Sequence, residues 1–157
     1  MILYHGSYEE IVKPDILHSK VNVDFGRGFY VTSLLEQAQK WCKKFEGKGK
    51  RAFVSVYTLD ERAFEEYKVL KFESYSEEWL DFVLTCRRGE DISDYDIVMG
   101  GVANDKVFNT VELFFDGLID KKEAIRRLQY GKPNFQIALR SQEVIERYLH
   151  FERSERL

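Results

Sequence analysis

The chain has 157 residues, enough for one domain over residues 1–157 that buries about two thirds of the surface its unfolded form exposes. Hydrophobic residues make up 44% and charged residues 32%, and the formal net charge of −3 gives no basic field for non-specific nucleic-acid binding, although a local basic patch is compatible with it. No apolar run approaches the ~18 residues of a membrane span and no secretory leader is visible, while Cys42 and Cys86, without a Cys-x-x-Cys or a His pair, fit a reducing cytoplasm and argue against a disulfide framework or structural zinc.

Ile2 to His5 predicts a short strand closed by Gly6-Ser7. Tyr8 to Val23 reads as irregular, broken by Pro14 and carrying the turn formers Asp15, His18, Ser19 and Asn22. Connections of this length in a compact domain are usually functional or mobile. Asp24-Phe25-Gly26-Arg27-Gly28 predicts a tight turn, because two glycines one residue apart permit close backbone approach. Phe29-Tyr30-Val31-Thr32 predicts a strand. Ser33 and Glu36 read as a capping box for a helix that carries Leu35, Ala38, Trp41, Cys42 and Phe45 on one face. On this stretch alone, Gly26 and Gly28 serve a loop, and Tyr30 a core, as readily as they serve a ligand.

Ala52 to Leu59 is a strand, Asp60 caps a short helix through Phe64, and Tyr67 to Phe72 is a further strand. Ser76 opens a helix that turns Trp79, Leu80, Val83 and Cys86 inward and stops at Arg87-Arg88-Gly89. Asp96 to Met99 is a buried strand broken by Gly100-Gly101. Asn104-Asp105 is a turn before a helix over Lys106 to Gly117. Asp120 caps a helix with Ala124, Ile125 and Leu128 facing in, stopped by Gly131-Lys132-Pro133. Phe135 to Leu139 is a strand, Ser141 opens a two-turn helix, and Leu149 to Arg153 returns as an edge strand. Trp41 and Trp79 are read as core residues. The mixed order predicts an α+β fold rather than a doubly wound sheet.

The candidate chemistry starts at Tyr4-His5-Gly6-Ser7. A neutral imidazole donates to or accepts from a hydroxyl, and a glycine beside it opens its backbone groups to a ligand. Tyr30, across the same cleft, would offer a ring for stacking. These stretches, with Ala38 and Trp41 on the following helix, resemble the ADP-ribosyltransferase superfamily, in the branch whose first two signature residues are a His and a Tyr. Tyr95 to Val98, Ala103 to Lys106, and Gln136-Ile137 are similar to a small toxin-like bacterial family of that superfamily.

The resemblance implies a split β-sheet core with flanking helices and NAD⁺ in the cleft between the sheets. It implies that His5 holds a ribose hydroxyl, Gly6 pairs with the nicotinamide carboxamide, Tyr30 stacks on the nicotinamide and Thr32 lies beside it. Ser7, Gly28 and Asn104 complete the expected NAD⁺ contacts. The implied activity is cleavage of the nicotinamide–ribose bond and transfer of ADP-ribose to a macromolecule in the cytoplasm, protein or RNA, with an antitoxin protein as a possible partner. Where many members place a Glu, this chain has Gln136, which can hold a hydroxyl but carries no charge and cannot act as a base. Asp105 is the expected substitute acid, with a helix N-cap as its other role, and Asp24 is read as a turn residue. Arg27, Arg87 and Arg88 are candidate pyrophosphate contacts, although Arg87-Arg88 also suits a helix C-terminus. A catalytically weak module of the same fold that binds NAD⁺ or a partner is the alternative.

Overall fold

β-Branched and aromatic runs build two sheets in a computed structural model of the chain, which describes residues 1–103, 105–129 and 134–157, without the side chains of residues 105 and 106. The first sheet has the order β1 (Ile2–Ser7), β3 (Phe53–Leu59), β7 (Leu149–Arg156) and is antiparallel throughout. The second has the order β2 (Phe29–Val31), β6 (Gln136–Leu139), β5 (Ile97–Gly100), β4 (Val69–Lys71). Its last pair, β4 with β5, is parallel. Helices α1 (Leu35–Glu46), α2 (Ala63–Glu66), α3 (Glu77–Arg87), α4 (Asp105–Phe115), α5 (Lys121–Leu128) and α6 (Gln142–Tyr148) complete an α+β arrangement. Among the described residues, no helix is long and apolar enough to cross a membrane.

Among the described residues, one isolated backbone bridge, between Tyr4 and Thr32, joins the two sheets. There Tyr4 N donates to Thr32 O at 2.8 Å and Thr32 N returns the bond to Tyr4 O at 2.9 Å. All residues of β5 and β6 are buried, and their side chains alternate between two cores. Ile97, Ile137 and Leu139 join Leu3, Phe29, Val31 and Tyr57. Val98 and Ala138 join Phe25, Trp79, Leu80 and Val83 on the other side.

Local signals decide several ends as the sequence predicts. Ser76 Oγ accepts from Trp79 N at 3.2 Å, and an Asp120 carboxylate oxygen accepts from Glu123 N at 2.8 Å. The Ser33–Glu36 capping box does not form. Thr32 Oγ1 accepts from Leu34 N at 3.1 Å, and the helix begins at Leu35 with Leu34 at its N-cap and no side-chain cap. Only Ala38 and Cys42 of α1 are buried, and Trp41 is 53% exposed, with the Lys44 ammonium 4.9 Å from its ring centre. The helix presents so narrow a stripe because its backbone comes very close to β1. A Cβ on Gly6 would lie 2.3 Å from Ala38 O. Tyr8 to Val23 is irregular apart from a 3₁₀ turn at Ile16–His18. The expected stop at Gly131-Lys132-Pro133 lies outside the described residues.

Candidate functional site

Beyond the Tyr4–Thr32 bridge, β1 and β2 are linked through a side chain. His5 Nδ1 lies 2.7 Å from the backbone oxygen of Tyr30. A carbonyl only accepts, so its partner assigns the proton to Nδ1. The ring packs on Phe29 with centroids 4.5 Å apart. Burial lowers the imidazole pKa from its ordinary value, and the Tyr30 bond opposes this with a smaller effect. A neutral ring with Nδ1–H committed leaves Nε2 as an acceptor, and nothing among the described residues donates to it.

Tyr30 ties the glycine turn to β2. Its hydroxyl donates to Gly26 O at 2.6 Å and accepts from Phe25 N at 3.0 Å. Gly26 takes φ +75°, a backbone conformation that favours glycine. Burial raises the phenol pKa, so Tyr30 stays protonated, and its ring packs against the core that contains Phe25. Phe29 and Val31, its neighbours on β2, turn into the opposite core, the side on which the His5 ring rests. The structure therefore joins His5 to Tyr30 through the tyrosine backbone. Gly28 N donates to Ser19 Oγ at 3.0 Å, and a Cβ there would lie 2.9 Å from Leu139 O. The Ser7 hydroxyl is engaged by Glu9, donating to its carbonyl and accepting from its N–H.

Gln136 is buried at the start of β6, opposite Gly100. Continuing the β2–β6 register by one residue brings Thr32 level with it. The Gln37 amide clamps the preceding residue, donating to Phe135 O at 2.9 Å and accepting from Phe135 N at 3.2 Å. Gln136 Nε2 lies 3.5 Å from both Asp24 Oδ2 and Gly101 O. Asp24 is itself paired with Arg87, whose Nε and Nη2 reach Oδ1 at 3.1 and 2.8 Å. The two side chains are 14% and 11% exposed, so this is a largely buried ion pair. Arg87 Nη1 also reaches Glu112 Oε1 at 3.0 Å, and its guanidinium lies 4.7 Å from the Phe108 ring centre.

Asp24 and Arg87 thus have roles beyond the turn and the helix end assigned from sequence. The carboxylate found beside Gln136 is that of Asp24. Asp105 opens α4, but its side chain, like all of Asn104, lies outside the described residues. Arg88 lies over Phe115, 5.3 Å from the ring centre. Arg27 is exposed and lines a cavity of about 530 Å³ with Gly26, Asp91, Tyr95 and Arg140. His5, Tyr30 and Gln136 do not line that cavity. Arg140 there is committed to Asp91 at 2.6 Å. Among the described residues, no cluster of three or more His, Cys, Asp or Glu side chains is placed to hold a metal ion. The exposed ring of Trp41 is a flat apolar surface on the helix that rests on Gly6, and its periodic position gave no sign of that exposure.

Residues 1–151 match the family described as Protein of unknown function (DUF3990). No curated protein and no solved structure matches the chain.

Proposed function

The chain belongs to that DUF3990 family, and from this premise we propose that it is an NAD-dependent ADP-ribosyltransferase of the toxin-like type. Its motifs resemble the branch with His and Tyr as leading signature residues. One observation carries the reading furthest: His5 sits where the two sheets part, held neutral with Nδ1–H on the Tyr30 carbonyl and Nε2 left as an acceptor. That is the state an imidazole needs to take a hydrogen bond from a ribose hydroxyl.

In the proposed reaction the bond between ribose C1′ and the nicotinamide nitrogen breaks, and its electron pair leaves with neutral nicotinamide. Positive charge develops on the ribose as in glycoside hydrolysis. A nucleophile of an intracellular protein or RNA then bonds to C1′ and releases a proton. His5 orients the ribose, the Gly6 backbone meets the carboxamide, and Tyr30 holds the glycine turn beside them. Thr32, Ser7 and Gly28 border this region, and an antitoxin protein would be the natural restraint on the activity.

The uncharged amide of Gln136 favours a second reading, a module of the same fold that binds NAD⁺ and turns it over weakly or not at all. Calorimetry with NAD⁺, run alongside nicotinamide release, separates the two. Binding with release supports the transferase, and binding without release in a cell extract that supplies acceptors supports the module. His5→Ala should weaken binding at least about tenfold, the loss of one good hydrogen bond in a buried site. Absence of NAD⁺ binding by the wild-type protein removes both readings.

A further inference from the structure

Gln136 has two kinds of atom at its tip, and its surroundings are not symmetrical. Both groups near Nε2, Asp24 Oδ2 and Gly101 O, are acceptors only, each at 3.5 Å. Turning the amide over would set Oε1 against a carboxylate and a carbonyl, three oxygens with no proton between them. That repulsion is felt at 3.5 Å even though the bonds to Nε2 are long. The amide orientation is therefore decided by its neighbours. Oε1 then points away from them, and nothing among the described residues donates to it.

Asp24 can impose that orientation because it is itself fixed. Arg87 grips Oδ1 twice, and Ala103 N reaches Oδ2 at 3.4 Å. Four separate segments, the glycine turn, the end of α3, the connection after β5 and the start of β6, converge on one carboxylate.

We propose that Asp24 is a positioning residue that turns the Gln136 amide so that Oε1 is presented as the acceptor for a ribose hydroxyl of NAD⁺. This rests on the reading of the region as an NAD⁺ site, given above. It reverses a simple expectation about Gln136. Replacing it by Glu, the residue many relatives of this superfamily resemblance carry, puts a second carboxylate against Asp24 and the Gly101 carbonyl. Like charges in one site disfavour each other's ionised form. The substitution works only where Asp24 has been neutralised.

The test is a charge swap with two readouts, nicotinamide release from NAD⁺ and thermal unfolding, on four proteins: wild type, Gln136→Glu, Asp24→Asn and the double variant. Each single substitution is expected to slow release about tenfold, and the double variant to return to within about threefold of wild type, the size of coupling usual for side chains in contact. Release by Gln136→Glu should also recover as pH falls, when the new carboxyl takes up a proton and donates it to Asp24. A merely structural role for Asp24 would produce neither the rescue nor the pH profile. Gln136→Glu leaves the Asp24–Arg87 pair intact, so it remains decisive if Asp24→Asn fails to fold. Release by Gln136→Glu at or above the wild-type rate overturns the proposal, as do losses that simply multiply in the double variant. If wild-type protein neither binds NAD⁺ nor releases nicotinamide, the ribose role falls with the reading of the site. Unfolding then judges the hold on the amide, with a midpoint restored in the double variant supporting it and additive losses refuting it.

Discussion

His5 carries a consequence for stability that can be read with its sign. Its folded pKa is lowered by burial, while an unfolded histidine titrates near 6.5. Between the folded value and about 6.5, the unfolded chain binds a proton that the folded protein does not, so stability rises with pH across that window. Cooling of stability on acidification should therefore begin below about pH 6.5, and His5→Gln should flatten the fall in melting temperature between about pH 7 and pH 5. An unchanged slope would show that the imidazole is not buried as neutral. Carboxylates act lower on the scale. Asp60, held by Arg62, and Glu123, held by Arg126 and Arg127, are both lowered to about 2, so any stability they add is lost only as the pH falls below the ordinary carboxylate range. The glycines beside His5 and before Tyr30 marked turns but did not pair the two residues; only the family resemblance set them together, and the link found runs through the Tyr30 backbone rather than its ring. The Asp24–Arg87 pair was not legible. Its members are 63 positions apart, and each has an ordinary local role to which it is readily assigned.

Elements show the same division between local and distant causes. Caps at Ser76 and Asp120 are written within three residues of the groups they bind, and both are found. The α1 cap departs from the sequence reading, with Leu34 at the N-cap and no side-chain hydrogen bond there. The inward face of α1 was overestimated for a tertiary reason, the close approach allowed by Gly6. Gly6→Ala should then destabilise the protein by about 1–3 kcal/mol, as overpacking against backbone does, because the atom it meets is a carbonyl that cannot rotate aside. Urea denaturation measures this, and a midpoint equal to wild type would mean that α1 does not press on β1. Gly49, with nothing within 4 Å of an added Cβ, is the contrasting position, although its φ of +71° penalises any side chain there.

At the scale of the whole molecule, strand order was beyond the sequence. β2 pairs with β6, more than a hundred residues away, and β4 runs parallel to β5, which no period of hydrophobic residues announces. The class α+β was legible because strands and helices each carry their own period. The two tryptophans offer a global readout, one buried and one 53% exposed. Iodide should quench Trp41 and spare Trp79, and in Trp41→Phe the remaining emission should shift to the red in one step together with far-ultraviolet circular dichroism if both cores unfold as one unit. Separate transitions would show that the two cores melt independently. The bridge between Tyr4 and Thr32 has a kinetic meaning as well. Among the described residues, two backbone bonds and the His5 side chain link the edge of one sheet to the edge of the other, while firmly packed layers lie on either side. A seam that short opens more often than the layers it joins, and the Tyr4 and Thr32 amides are its clasp. Their hydrogen-exchange rates, set against those of the β3 and β6 amides, would time how often the clasp lets go while the layers stay closed.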